Sequence, residues 1–143
     1  MELKHVVRLV LSPEGRDPDP DLLAKVPSTL MSDALVGLME PYIVWPPAPS
    51  ELAALDAWLQ LGAEVWNVAV EAKDGLACAQ ALARLAAELD DEDPFGLVQE
   101  IARRKLTHFA GDRRRVAGVR VVAKDGWTTV EATSIAYVPA ASR

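Results

Sequence analysis

The chain has 143 residues, half of them apolar and a quarter charged, which suits an ordinary globular domain and not a disordered chain. Its formal net charge of −6 argues against general attraction to nucleic acid or to an anionic membrane. That charge is unevenly spread: residues 1–100 hold 6 Lys/Arg against 18 Asp/Glu, and residues 101–143 hold 9 against 3. A split of this size suggests a charged partner or a charge-matched interface.

No apolar run approaches the ~20 residues a membrane span needs. Met1 leads straight into an amphipathic stretch with no signal-peptide pattern. The lone cysteine, Cys78, has no internal disulfide partner, so a cytoplasmic location is expected. The excess of Arg over Lys and the abundant Ala and Pro fit a GC-rich bacterial coding sequence.

Residues 3–11 alternate with period two and are rich in β-branched side chains, which predicts a strand. Pro13, Gly15, Pro18 and Pro20 mark a loop, and residues 21–25 one short helical turn. Ser28 is an N-cap candidate for a helix to about Met39, with Leu30, Met31, Ala34, Leu35 and Leu38 on its apolar stripe. Pro41–Pro49 holds four prolines and is expected to be an extended, polyproline-like connection. Its Pro-x-x-Pro is a weak docking motif, and Trp45 is expected to fold back on the core.

From Ser50, a second N-cap candidate, a helix is expected to run to about Lys73. It is apolar over most of its circumference, which predicts a central helix packed on two sides. Its polar residues fall on one line: Asp56, Gln60, Glu64, Asn67 and Glu71. Asp74-Gly75 breaks it before an Ala-rich helix over 76–89. Asp93-Pro94 then reads as N-cap and first helical residue of a helix to Phe109, stopped by Gly111.

Asp125-Gly126 is a hairpin turn flanked by strands over 116–124 and 127–138. In the register it implies, Val121 faces Val130, Val119 faces Ala132, Ala123 faces Thr128 and Val122 faces Thr129. Arg120 then meets Glu131, so opposite charges and apolar residues pair together. The expected fold is α+β in a single domain over 1–143. About four helices would pack on a small antiparallel sheet made of the N-terminal strand and the C-terminal hairpin. A helical domain with a detached hairpin is the alternative.

Signatures of chemistry are sparse. His5 and His108 are far apart with one Cys, so no zinc spacing exists, and neither a phosphate-binding glycine loop nor a nucleophile elbow occurs. No cofactor, metal or catalytic residue is assigned. Cys78, amid alanines, reads as a small buried residue, and His5 as a sheet-face histidine. The polar line, with Asp56, Glu64, Asn67 and Glu71 as weak candidates, could ligate a hard cation or serve an enzyme. Its simpler reading is the wet side of the helix. Asp90–Asp93 lacks EF-hand spacing and reads as a solvated linker that complements the next helix dipole.

The strongest candidate is basic: Arg103, Arg104, Lys105 and His108 near a helix end, then Arg113, Arg114 and Arg115, with Trp127 near the hairpin tip. These residues suit phosphates or an acidic protein surface. The simpler reading is helix-dipole stabilisation and pairing with Asp90–Asp93 or Glu100. The leading expectation is a non-catalytic bacterial protein-binding module (an adaptor, immunity-type protein or regulatory subunit) whose partner is another protein or a second copy. A nucleic-acid-binding regulator is second and an enzyme third.

Overall fold

The structure is a computed structural model that describes residues 3–10, 30–45, 47–124 and 127–136. Strand β1 spans Leu3–Val10. Among the described residues four helices follow: α1 (Met31–Met39), α2 (Leu52–Glu71), α3 (Gly75–Ala86) and α4 (Pro94–His108). Strands β2 (Arg114–Lys124) and β3 (Trp127–Ala136) close the order, so the fold is α+β. Among the described residues no helix is long and apolar enough to cross a membrane. The Ser28 cap, the loop and turn over 12–25, the Asp125-Gly126 turn and the side chains of His5 and Trp127 lie outside the described residues.

The β2–β3 register is the one the turn predicts: Val121 pairs with Val130, Val119 with Ala132, Ala123 with Thr128 and Arg120 with Glu131. The sheet is not wholly antiparallel, however. Its order is β1-β3-β2, and β1 runs parallel to β3, with His5 opposite Val130. A long helical excursion between β1 and β2 leaves the direction of β1 open, since parallel strands need only a long crossover. The pairing side is open too. Beyond β2 lies α2, so β3 is the strand that accepts β1.

Between Val116 and Gly118 the ladder slips by one residue, a β-bulge at Ala117. A bulge opposes two residues to one and reverses the facing of everything beyond it. Val116 and Arg114 therefore join Val119 on the buried face, at 4 %, 4 % and 5 % exposure. On β3 the same face carries Thr128, Val130, Ala132 and Ser134, all buried.

The helices gather on that face. The core joins Met31, Leu35 and Leu38 of α1, Leu59, Val65 and Trp66 of α2, Leu82 of α3, and Val98 and Ile101 of α4. Helices α1 and α2 approach closely at Gly62, where an added Cβ would lie 2.7 Å from Met39 Cγ. Trp45 packs against the core.

Helix ends follow their caps. The Asp74 carboxylate accepts the Ala77 N–H at 2.8 Å, and that of Asp93 the Gly96 N–H at 3.1 Å. Two boundaries differ from expectation. Around the proline-rich connection, Glu40–Tyr42 and Pro49–Glu51 wind into 3₁₀ turns in place of a continuous extended run. Ser50 falls inside the second turn, where the Glu51 carboxylate takes the Ala48 N–H at 3.0 Å, so α2 begins at Leu52. Single 3₁₀ turns of this kind are common at helix entrances.

Candidate functional site

The polar line of α2 borders strand β2 as well as water: Gln60, Glu64 and Glu71 are exposed, and Asp56 and Asn67 are half-buried. Strand β2 is a sheet edge, and its outward-pointing backbone groups need partners. Asp56 Oδ1 accepts the Val121 N–H at 2.9 Å, and the Gln60 side-chain amide donates to Val119 O. Asn67 closes a two-bond ring on one residue: its Oδ1 accepts Val116 N–H at 2.7 Å and its Nδ2 donates to Val116 O at 2.8 Å. Trp66 Nε1 donates to Arg114 O at 2.7 Å, and Glu71 pairs with Arg115 at 2.5 Å. The bulge at Ala117 makes this zipper continuous, because it turns the backbones of both Val116 and Arg114 towards α2. Of the line, Glu64 alone is exposed with no bond to β2. Asp56, Asn67 and Glu71 are thus placed along a strand edge and not around a shared point. Among the described residues no group of three or more His, Cys, Asp or Glu side chains is arranged to hold a metal ion.

The basic residues divide. Arg104 reaches back to cap α1, donating from Nε to Leu38 O at 2.9 Å and from its terminal nitrogen to Gly37 O at 3.0 Å. Lys105 is 2 % exposed. Its ammonium donates to Phe109 O at 2.8 Å and Asp112 O at 2.6 Å, and lies 4.7 Å from the Trp66 ring centroid. Arg114 is buried in a two-pronged pair with Asp112, at 3.0 and 2.6 Å, while the same carboxylate accepts the Arg114 N–H. Phe109 stacks at a tilt on Trp66, 5.5 Å between centroids.

These five residues form the joint between α2, α4 and β2. The Arg114 guanidinium holds the Asp112 carboxylate there, while the Lys105 ammonium rests on two backbone carbonyl oxygens and an indole face. Burial pushes the Lys105 amine below its ordinary value; Asp112 pulls it back up and Arg113 pushes it further down. Arg103, His108 and Arg113 stay exposed. The acids of the 90–93 run have other occupations: Asp91 accepts the Asp93 N–H at 3.0 Å, and Asp93 caps α4.

Two open clefts on the helical side went unnoticed in the sequence. The larger, of about 490 Å³, lies between the end of α2, α3 and α4. Its lining includes Ala72, Cys78, Ala79, Leu82, Ala102 and Arg103, with Leu106 on its edge. Leu76 and Leu106 on the flanking helices are 69 % and 52 % exposed. Burial pushes the Cys78 thiol up, which disfavours its thiolate form. The second, of about 330 Å³, runs along α2 beside the 89–91 segment. It adjoins a small third cleft, with which it shares Ala54 and Trp58. Trp58 is stacked on Tyr42, 5.6 Å between centroids. The Ala-rich composition of α3 was the one available signal for a groove, since small side chains leave space between helices.

Comparison with protein-family models, with curated proteins and with solved structures finds no match.

Proposed function

We propose that the protein is a non-catalytic binding module that docks another protein on its helical side. The observation that carries this reading is the 490 Å³ cleft between α3 and α4, lined by the half-exposed Leu106, with the exposed Leu76 on the same helix as its Gly75, Cys78, Ala79 and Leu82 wall. Large apolar side chains beside a cleft are costly to leave in water, and a partner that covers them gains the burial. Arg103 gives the cleft a positive wall, which orients an approaching partner more than it tightens the complex.

The internal use of the other polar residues supports the same choice. Asn67 has its amide committed to Val116, which removes it from the enzyme reading. Lys105 and Arg114 are buried, and Arg104 and Arg115 are paired, so a nucleic-acid reading retains few phosphate contacts.

A photo-crosslinking residue placed at Leu76 or Leu106 in the native host tests the proposal. One defined protein should be captured from both positions, lost when the unlabelled one of the pair is changed to Asp, and not captured from Glu64. Capture at Glu64 equal to that at Leu106, or none at either leucine, would overturn it.

A further inference from the structure

The second cleft has a chemistry of its own. Ala54, Ala57, Trp58 and Leu61 lie on one face of α2 at helical spacing and form its floor, with Leu89 and Leu97 opposite. From Ala54 to Leu61 this floor runs about 10 Å, nearly two helical turns. Through Ala54 and Trp58 it continues into the 90 Å³ cleft at Val44, whose side chain is 55 % exposed.

Every ionisable side chain that carries charge on the two clefts is acidic: Asp90 and Asp91 on one, Glu51 on the other, with no Lys, Arg or His on either lining. Glu100 adds a further carboxylate beyond the rings, where it accepts the Tyr42 hydroxyl. The Arg104 guanidinium near Tyr42 is already committed to Gly37 O and Leu38 O. These walls belong to the strongly acidic part of the chain, so the local charge and the long-range field agree in sign.

We infer that the trough along α2 receives a cationic amphipathic helix of a partner protein, its apolar face on Ala57, Trp58 and Leu61 and its Lys/Arg flank against Asp90 and Asp91. A helix-in-groove mode fits an elongated apolar floor, and anchors at i, i+3, i+4 and i+7 match the spacing of the floor itself. Two carboxylates on one wall fix the orientation of the incoming helix and disfavour acidic competitors. A second copy of this chain is disfavoured by the same field, since the molecule carries −6. The inference rests on the protein-binding reading but uses a different cleft from the one between α3 and α4.

The test uses a helical Leu/Lys peptide of about 14 residues, its Leu/Glu counterpart of identical pattern, and oligolysine, each titrated into the full chain by calorimetry. The Leu/Lys peptide should bind with salt-sensitive affinity, and the other two should not. Asp90→Asn/Asp91→Asn should weaken it about fivefold. Ala57→Arg, at an exposed helical position, should weaken it about tenfold or more, by filling the floor and inverting its charge. Glu64→Gln/Glu88→Gln, which removes two exposed charges outside the trough, should leave it unchanged. Circular dichroism checks that each variant is folded.

Equal binding of the acidic peptide, or equal loss in the Glu64/Glu88 control, would overturn the inference in favour of unspecific attraction. A dimer in sedimentation that Ala57→Arg dissolves would overturn it in favour of a second copy. Captures at Leu76 and Leu106 report on the other cleft, so they survive a failure here, and their failure leaves the peptide result standing.

Discussion

At the scale of single residues, composition and spacing nominate side chains but do not reveal which way they point. Asn67 and Glu64 sit on the same polar line three residues apart. One binds both backbone groups of Val116 and the other faces solvent. Lys105 and Arg104 are neighbours in a basic run, yet the first is buried under Trp66 and the second caps α1. What separates them is tertiary: the location of α1 and of the α4–β2 turn, which no local pattern encodes. The Asp93 cap was legible, because it satisfies a helix N–H group within three residues of itself; Asp74, which also caps a helix, read only as a break.

Tyr42 gives a residue-scale prediction. Burial first, then its hydrogen bond to Glu100, raises the Tyr42 hydroxyl above its ordinary value of 10.0, with Arg104 acting in the opposite sense. A raised folded-state value means that this stabilisation is complete below about pH 10 and is lost as pH climbs beyond it. Thermal melts of Tyr42→Phe should lose less stability between pH 9.5 and 11 than those of the wild type, after each is referred to its own value at pH 8. Identical slopes would show that the hydroxyl is not held by Glu100.

At the scale of elements, the hairpin was the most legible part. Its register follows from one turn, and every pair from Ala123–Thr128 to Val119–Ala132 lies where that turn puts it. The bulge at Ala117 was not legible, because nothing in Val116–Ala117–Gly118 beyond the glycine marks the slip. Yet the bulge decides the site, since it turns Val116 and Arg114 towards α2. The polar line of α2 is a wet edge only in part: Gln60, Glu64 and Glu71 are exposed, yet all but Glu64 also bond β2, because a helix can present polar atoms to an open strand edge as well as to water. That edge would otherwise offer unpaired N–H and C=O groups to another chain. Asp56→Ala should therefore speed hydrogen exchange of the Val121 amide, and Asn67→Ala that of Val116, each by about tenfold or more. NMR-detected exchange of these two amides checks it. Unchanged rates would mean that α2 only lies near β2.

At the scale of the whole molecule, the charge split of the sequence takes a definite form. Part of the positive charge is turned inward or paired, on Arg104, Lys105, Arg114, Arg115 and Arg120, while Arg103, His108 and Arg113 are exposed. The acidic run at 90–93, which first suggested an internal partner for those cations, instead caps α4 and borders the trough along α2. The α+β class was readable from the order of periodicities. The direction of β1 was not, because four helices intervene. The clefts were not either, because they arise from spaces between elements and not from any motif.

Asn67, Lys105, Asp112 and Arg114, polar residues that could have served chemistry, instead hold α2, α4 and β2 together. Urea unfolding of four variants tests this most directly. Asn67→Ala strands two backbone groups of Val116, and Asp112→Ala leaves the buried Arg114 guanidinium without its carboxylate; each should cost about 2–4 kcal/mol. Arg103→Ala and Arg113→Ala, at exposed positions, should stay within about 0.5 kcal/mol of the wild type. A loss at Arg103 or Arg113 as large as that at Asp112, or no loss at Asn67, would contradict the account.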